Sequence, residues 1–316
     1  MLCRRPYIRD PSGKVLVSTD PEVRKLGIPF PCGQCLACRI NKRRVWTLRL
    51  LLESYLHPCA SFVTLTYEPD ELPYNLNGQP ILCKRDVQLF LKRLRDDFQR
   101  NNGFSGGQIR YYFAGEYGPQ GHLPHYHGIL FGVSPFELDD QWMYFAGRSG
   151  PYKPNYCRSS RLYNLWKHGI VHIGECTRES IQYCAGYVTK KITRKGDGLE
   201  KEFALMSRRP GLGAGAVAAI SRALQGVPGD SLRAGTGKTL HIEGKEYALG
   251  RFLLDKLRRV SDVDTSIDDY EESLRESFRE SKRQNVPFLT YLVESDAQRF
   301  RNLESKQKLF NRRSDL

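Results

Sequence analysis

The stretch IRYYFAGEYGPQGHLPHYHGILFG, residues 109–132, decides the fold. Its two ends, 109–116 and 124–132, are rich in aromatic and aliphatic residues and read as strands. The Gly- and Pro-containing YGPQGHL between them is short enough to close a β-hairpin. The second strand carries His125, Tyr126 and His127. Successive side chains of a strand point to opposite faces, so the two imidazoles project together and Tyr126 turns away. Pairing across the hairpin sets Glu116, at the end of the first strand, beside them. Two imidazoles and a carboxylate with open positions suit Mg2+ or Mn2+ bridged to a phosphate oxygen. His122 competes with Glu116 for the third place. The plainer alternative is a pair of structural histidines satisfied by hydrogen bonds.

Working outward, SFVTLTY (61–67) is β-branched and aromatic, a further strand ended by Pro69. Val87, Phe90, Leu91, Leu94 and Phe98 form the stripe of a helix laid on a sheet, with Lys92, Arg93 and Arg95 outward. Over 34–56, Leu36, Ile40, Val45, Leu48, Leu52 and Tyr55 mark one side of a helix that Arg39, Lys42, Arg43, Arg44 and Arg49 charge elsewhere. IVHIG (170–174) is another strand, and 179 to about 194 a helix. Strand, helix, hairpin, strand, helix in that order predicts an α+β fold, a central antiparallel β-sheet with helices on one face. The expected divisions are a Cys-rich segment with the basic helix (1–56), a core (57–200), and a C-terminal hairpin and helical extension (201–316), the hairpin around Gly244 and the charged tail from about Asp262.

At about 100° per residue, Ile181, Cys184, Ala185, Val188 and Ile192 gather on one side of the helix from 179. Tyr183, Tyr187, Lys190 and Arg194 gather on the other, off the core stripe. Tyrosines four apart share a face, so both phenols address one substrate. A phenol, with reference pKa near 10, attacks a phosphodiester only when deprotonated or made acidic, and Lys190 supplies a positive charge a turn from Tyr187. Half-exposed aromatics without a chemical role are the alternative.

The chain has 316 residues, 40% of them hydrophobic, enough for a substantial core. Its formal charge of +14, concentrated in residues 1–200, attracts polyanions. No run approaches the roughly 18 apolar residues of a membrane span. The N-terminus, MLCRRPYIRD, lacks the apolar core of a secretory signal, so a cytosolic setting with reduced thiols is expected. Among nine cysteines, Cys32, Cys35 and Cys38 are spaced C-x2-C-x2-C, with Cys3 as a fourth. That spacing suits either a structural zinc or free thiols near a buried turn. Cys59, Cys83, Cys157, Cys176 and Cys184 read as small core fillers. Aromatic and basic residues interleaved at 142–167, Trp166 and Arg158 among them, fit a platform for single-stranded nucleic acid or a packed loop. GTGKT (235–239) reads as a hairpin turn, because Leu232 stands where a phosphate loop needs glycine.

FVTLTY (62–67), GEYGPQGHLPHYHGILFG (115–132) and YCAGYVTKK (183–191) resemble, in order, the three motifs of HUH rolling-circle replication initiators. PCGQCLAC (31–38), the paired tyrosines and MSRRPGLG (206–213) are similar to the replication initiators of gokushovirus-type microviruses, small phages with single-stranded DNA. The likeness covers about residues 30–215. It implies an RRM-like HUH endonuclease palm that nicks one strand, keeps a 5′-phosphotyrosine link and leaves a 3′-OH primer. A second tyrosine then rejoins the circle. By position, His125, His127 and Glu116 are the implied Mg2+ or Mn2+ ligands, Tyr183 and Tyr187 the nucleophiles, and Lys190 the lysine that follows the tyrosine in related initiators. DNA-binding duty falls to Arg39, Lys42, Arg43, Arg44, Lys191 and Arg194. Implied partners are single-stranded and replicative-form circular DNA with a host helicase and polymerase, in the bacterial host's cytoplasm. A non-catalytic zinc-containing DNA-binding regulator and a zinc hydrolase acting at the histidines are the rival readings.

Overall fold

The computed structural model describes residues 3, 6–9, 15–16, 28–101, 109–118, 122–134, 157–187, 199–224, 239–260, 279–286 and 291. In chain order the elements are β1 (Tyr7–Arg9), β2 (Val15–Leu16), β3 (Ile28–Phe30), α1 (Leu36–Ser54), β4 (Ala60–Thr66), α2 (Lys84–Asn101), β5 (Arg110–Tyr117) and β6 (Pro124–Phe131). There follow β7 (Cys157–Arg158), α3 (Ser160–Trp166), β8 (Val171–Glu175), α4 (Arg178–Tyr187), β9 (Phe203–Met206), α5 (Val217–Leu224), β10 (Thr239–Ile242), β11 (Lys245–Ala248) and α6 (Gly250–Arg258). The chain divides into two compact units, residues 46–220 on the one hand and residues 1–45 with 221–316 on the other.

Residues 46–220 are built on a six-stranded antiparallel sheet in the order β7-β8-β4-β6-β5-β9. The α+β class read from the sequence is borne out. The β5–β6 hairpin pairs Glu116 with His125 and Ala114 with His127. On one face Val63, Leu65, Phe113, Tyr126, Leu130 and Ile173 form a single core with Val87, Phe90, Leu91, Leu94 and Phe98 of α2 and Leu162 and Trp166 of α3. Each large side chain so buried stabilises by about 1.5–3 kcal/mol relative to exposure. Gly128 is a requirement of this packing, since a Cβ there would lie 2.4 Å from the Phe113 ring. The predicted α2 stripe is buried as expected. Arg93 is not outward, however: its Nε donates to Leu165 O at 2.6 Å and its Nη2 to Trp166 O at 2.9 Å, satisfying carbonyls at the end of α3.

The opposite face is covered too, which departs from the expectation of helices on one face. Phe62, Tyr112, Ile129 and Phe131 are buried there. Trp46 of α1 packs on Tyr112 at 5.5 Å between ring centroids, and Tyr183 of α4 meets Phe62 edge-on at 6.1 Å. The cause is legible in β5 and β6, whose residues are buried almost without alternation. Strands buried on both faces need a layer on each.

The MSRRPGLG segment is pinned by one buried carboxylate. Glu53 of α1 accepts from Arg110 Nε and from the Gly213 amide at 2.6 Å, and lies 3.2 Å from His57 Nε2. Arg110 Nη2 donates to Pro210 O at 2.8 Å, and Arg49 Nε to Leu212 O at 3.0 Å. Burial alone would raise the Glu53 carboxyl, but the bonds from His57, Gly213 and Arg110 outweigh it and hold the group below the usual carboxylate value.

In the other unit β1 pairs antiparallel with both β2 and β3. The hairpin expected around Gly244 is β10–β11, with Gly244 at φ 70° in its turn. Among the described residues no helix is long and apolar enough to cross a membrane.

Candidate functional site

Sheet register assembles the first cluster. Glu116 Oε1 lies 2.9 Å from His125 Nε2 and 3.4 Å from His127 Nε2, and the two imidazole centroids are 4.9 Å apart. One ligand atom from each of the three residues lies within 4.8 Å of the others. Glu116 and His127 are buried and His125 partly so. His122, the competing third ligand, is instead exposed in the hairpin turn at φ 50° and stands outside this cluster.

The far nitrogen of each ring is also held. His125 Nδ1 lies 3.2 Å from Leu123 O, and His127 Nδ1 lies 3.0 Å from Thr64 Oγ1. A carbonyl only accepts, so His125 Nδ1 carries a proton and its Nε2 is turned to the carboxylate. A neutral ring would then oppose a lone pair to an anion. Either a second proton or a shared cation removes that repulsion, and the outer hydrogen bond with the inner nitrogen free is the usual arrangement of a metal-binding histidine. Phe62 lies near-parallel to His127, 14° apart at 5.8 Å. Thr64 and Phe62 were not singled out in the sequence. Their signal was the alternation of FVTLTY, which puts Phe62 and Thr64 on the face away from Val63 and Leu65.

Both tyrosines join this cluster from α4. Tyr183 Oη lies 3.3 Å from His127 Nε2, and the Tyr187 ring stacks on the same imidazole at 5.3 Å and 8°. The two phenol rings meet edge-on at 4.8 Å. They share a side of the helix, as their spacing requires. Tyr187 is not off the core, however: it is only 7% exposed, while Tyr183 is partly exposed. Burial first, then the neighbouring Tyr183 and Glu116, push the Tyr187 phenol well above its ordinary value.

A polar row crosses the same face. Arg158 pairs with His172, His172 with Thr64, and Thr64 with His127, so four side chains from four adjacent strands stand in line. Burial first, then the Arg158 charge, lowers the His172 pKa below its ordinary value.

Other expected residues fall elsewhere. Lys190, Lys191 and Arg194 lie outside the described residues, as do the aromatics at 142–156. Trp166 is no stacking platform: it is fully buried, with Nε1 donating to Thr66 O at 3.1 Å. On α1, Lys42 and Arg44 are exposed, whereas Arg39 and Arg43 are half-buried. Arg44 Nη2 reaches Glu246 O at 3.1 Å. Of the five cysteines read as core fillers only Cys184 is fully buried, because the others sit at the ends of elements.

Cys3, Cys32, Cys35 and Cys38 form a second cluster in the other unit, with all four sulfurs within 4.8 Å of one another. Its thiols are not ordinary. Hydrogen bonding with Cys3 and burial push the Cys38 thiol far up, and burial raises Cys32.

Residues 60–192 match the family model of replication-associated protein ORF2. The chain is 35% identical over 163 residues to replication-associated protein ORF2 of Spiroplasma virus 4, which is 51% of this chain and 48% of that protein. It is 31% identical over 205 residues to replication-associated protein VP4 of Bdellovibrio phage phiMH2K, 62% of this chain and 60% of the relative. A third match, to replication-associated protein ORF4 of Chlamydia phage 1, is 31% identical over 172 residues, 54% of this chain and 40% of the relative. The chain thus spans about half the length of the curated relatives it matches. No solved structure matches. These matches bear out the resemblance to microvirus replication proteins, and residues 60–192, which carry Glu116, His125, His127, Tyr183 and Tyr187, belong to the replication-associated protein ORF2 family.

Proposed function

We propose that the protein initiates rolling-circle replication of a circular phage genome by nicking one DNA strand with a tyrosine and later rejoining it. The observation that carries this reading is the convergence of Tyr183 Oη on His127 Nε2, at 3.3 Å, beside Glu116 and His125. Family membership with replication-associated proteins of three phages supports it independently.

The donor set fits a divalent cation: two imidazoles and one carboxylate, with each outer imidazole nitrogen already engaged. Glu116, His125 and His127 would hold Mg2+ or Mn2+. Such an ion, when bound, polarises the scissile phosphate and stabilises the charge that develops on it. The remaining work belongs to the chain. Tyr183 attacks phosphorus with its phenol oxygen, the bond to the 3′ oxygen breaks, and that oxygen leaves protonated as a 3′-OH. The 5′ phosphate stays on the tyrosine as a diester, which conserves the energy of the broken bond for rejoining. Phe62 and the Tyr187 ring, both near-parallel to His127, keep that imidazole in place.

Lys42 and Arg44, exposed on α1, are the proposed backbone contacts to single-stranded and replicative-form DNA. Lys190, Lys191 and Arg194 share that charge role by their sequence positions. Arg39 and Arg43, half-buried, contribute field more than contact. A host helicase, a host polymerase and the bacterial cytoplasm are the setting this activity requires. A regulator without catalysis would leave the convergence of five polar side chains without a purpose.

The test is a labelled single-stranded origin oligonucleotide incubated with the protein and Mn2+, then separated on a denaturing gel. A protein-linked 5′ fragment is expected, lost in the His125→Ala, His127→Ala variant. Cleavage with no protein attached would instead mean hydrolysis and end the tyrosine mechanism.

A further inference from the structure

We propose that Cys3, Cys32, Cys35 and Cys38 are a closed four-thiolate zinc site that staples the N-terminal strand to the start of α1. The topology brings these distant residues together. Antiparallel pairing of Tyr7 with Phe30 and Arg9 with Ile28 runs the segment before β1 alongside the segment after β3, so Cys3 arrives beside Cys32. Cys35 and Cys38 then follow at intervals of three residues, Cys38 inside the first turn of α1.

The geometry is that of one tetrahedral ion. Zinc–thiolate bonds of about 2.3 Å place the sulfurs of a tetrahedron about 3.8 Å apart. Cys3 and Cys35 sulfurs are 3.8 Å apart. A disulfide would need about 2.05 Å. With every sulfur within 4.8 Å of the other three, the cage is the size of a single ion.

The surroundings stabilise thiolates. The Cys32 amide donates to Cys3 Sγ at 3.2 Å, and the amides of Gln34 and Cys35 donate to Cys32 Sγ at 3.4 and 3.3 Å. Gly33, at φ 71°, makes the turn that aims the last two amides, and open space around it leaves backbone conformation as the reason for glycine. Charge-assisted N–H to sulfur bonds orient ligands as the second shell of a metal does. Four protein ligands leave no position for water, so the site is structural and makes no nucleophile.

The experiment measures metal content in the full chain purified under reducing conditions from zinc-supplemented cells. About one zinc per chain is expected, falling at least tenfold in Cys3→Ser and in Cys35→Ser and unchanged in Cys59→Ser. Cobalt exchanged into the wild-type protein should give the intense near-ultraviolet charge-transfer bands of a thiolate-bound ion. The double variant Glu116→Gln, His125→Ala should keep both its zinc and those bands, which separates this site from the histidine cluster and from the fate of the nicking reading. Zinc retained in both serine variants, cobalt spectra without thiolate bands, or iron in place of zinc would each overturn the assignment. Should a serine variant not accumulate, chelator titration of the wild-type protein reads the same site: loss of zinc with a lowered melting temperature supports the staple, and loss with an unchanged one refutes it.

Discussion

Tyr183 presents its hydroxyl to His127, 3.3 Å from Nε2, while Tyr187 presents the face of its ring to the same imidazole, 8° from parallel. One helix side thus offers two phenols in different poses. Tyr183 is partly exposed and Tyr187 only 7% exposed, so an incoming phosphate reaches the first oxygen without rearrangement. Tyr183→Phe should lower first-turnover adduct formation by on the order of 10³-fold or more, whereas Tyr187→Phe should leave the first cut nearly intact and abolish rejoining. Single-turnover assays with origin oligonucleotides, followed by a second labelled strand as acceptor, read both steps. The reverse pattern would assign the first cut to Tyr187.

Thr64 reaches the site through His127 alone, by its 3.0 Å contact with Nδ1. Thr64→Val keeps the shape and removes the hydroxyl. Outer partners of metal-binding histidines typically contribute about 10–100-fold in metal affinity or activity. The Mn2+ concentration for half-maximal adduct formation should rise by that factor while saturating manganese restores most of the rate. A loss that manganese does not rescue would mean that Thr64 supports the fold instead.

The row Arg158, His172, Thr64, His127 spans three strand spacings, about 14 Å. Its outer end is a cation, which suits a phosphate flanking the one that is cut. Removing one phosphate contact to a single strand should reduce the slope of log affinity against log salt by about 0.7. Arg158→Ala is expected to do so, raising KM with little change in the single-turnover rate. An unaltered salt slope would dismiss Arg158 as a DNA contact.

Much of this was legible before the structure, and the reasons differ by element. The hairpin and the α2 stripe were readable because their apolar residues keep a strict period, and the same alternation put Glu116 and both histidines together. The second helical layer was missed although β5 and β6 advertised it through nearly continuous apolar runs. Trp166 misled because aromatic and basic residues in one segment say nothing about direction, and here the ring fills the core beneath Thr66. The polar row could not be read at all. It exists only after cross-strand register is known, since Arg158, His172 and Thr64 are far apart in sequence.

Glu53 is the place where stability depends on pH. Its carboxyl is 2% exposed, and its folded-state pKa lies below the ordinary value despite burial, because His57, the Gly213 amide and Arg110 all favour the charged form. The unfolded chain therefore binds a proton more readily than the folded one, and stability rises with pH across that interval. The contribution is complete above the unfolded value of about 4.3 and is lost as pH falls through the lower folded value. Glu53→Gln leaves the Arg110 guanidinium, which also holds Pro210 O, without its anionic partner in a buried setting. Breaking such a pair typically costs about 3–5 kcal/mol. Urea unfolding should show that deficit at pH 7 and a progressively smaller one toward pH 3, where the wild-type carboxyl is itself protonated. A deficit that stays constant from pH 7 to 3 would show that the charge of Glu53 does not anchor the 206–213 segment.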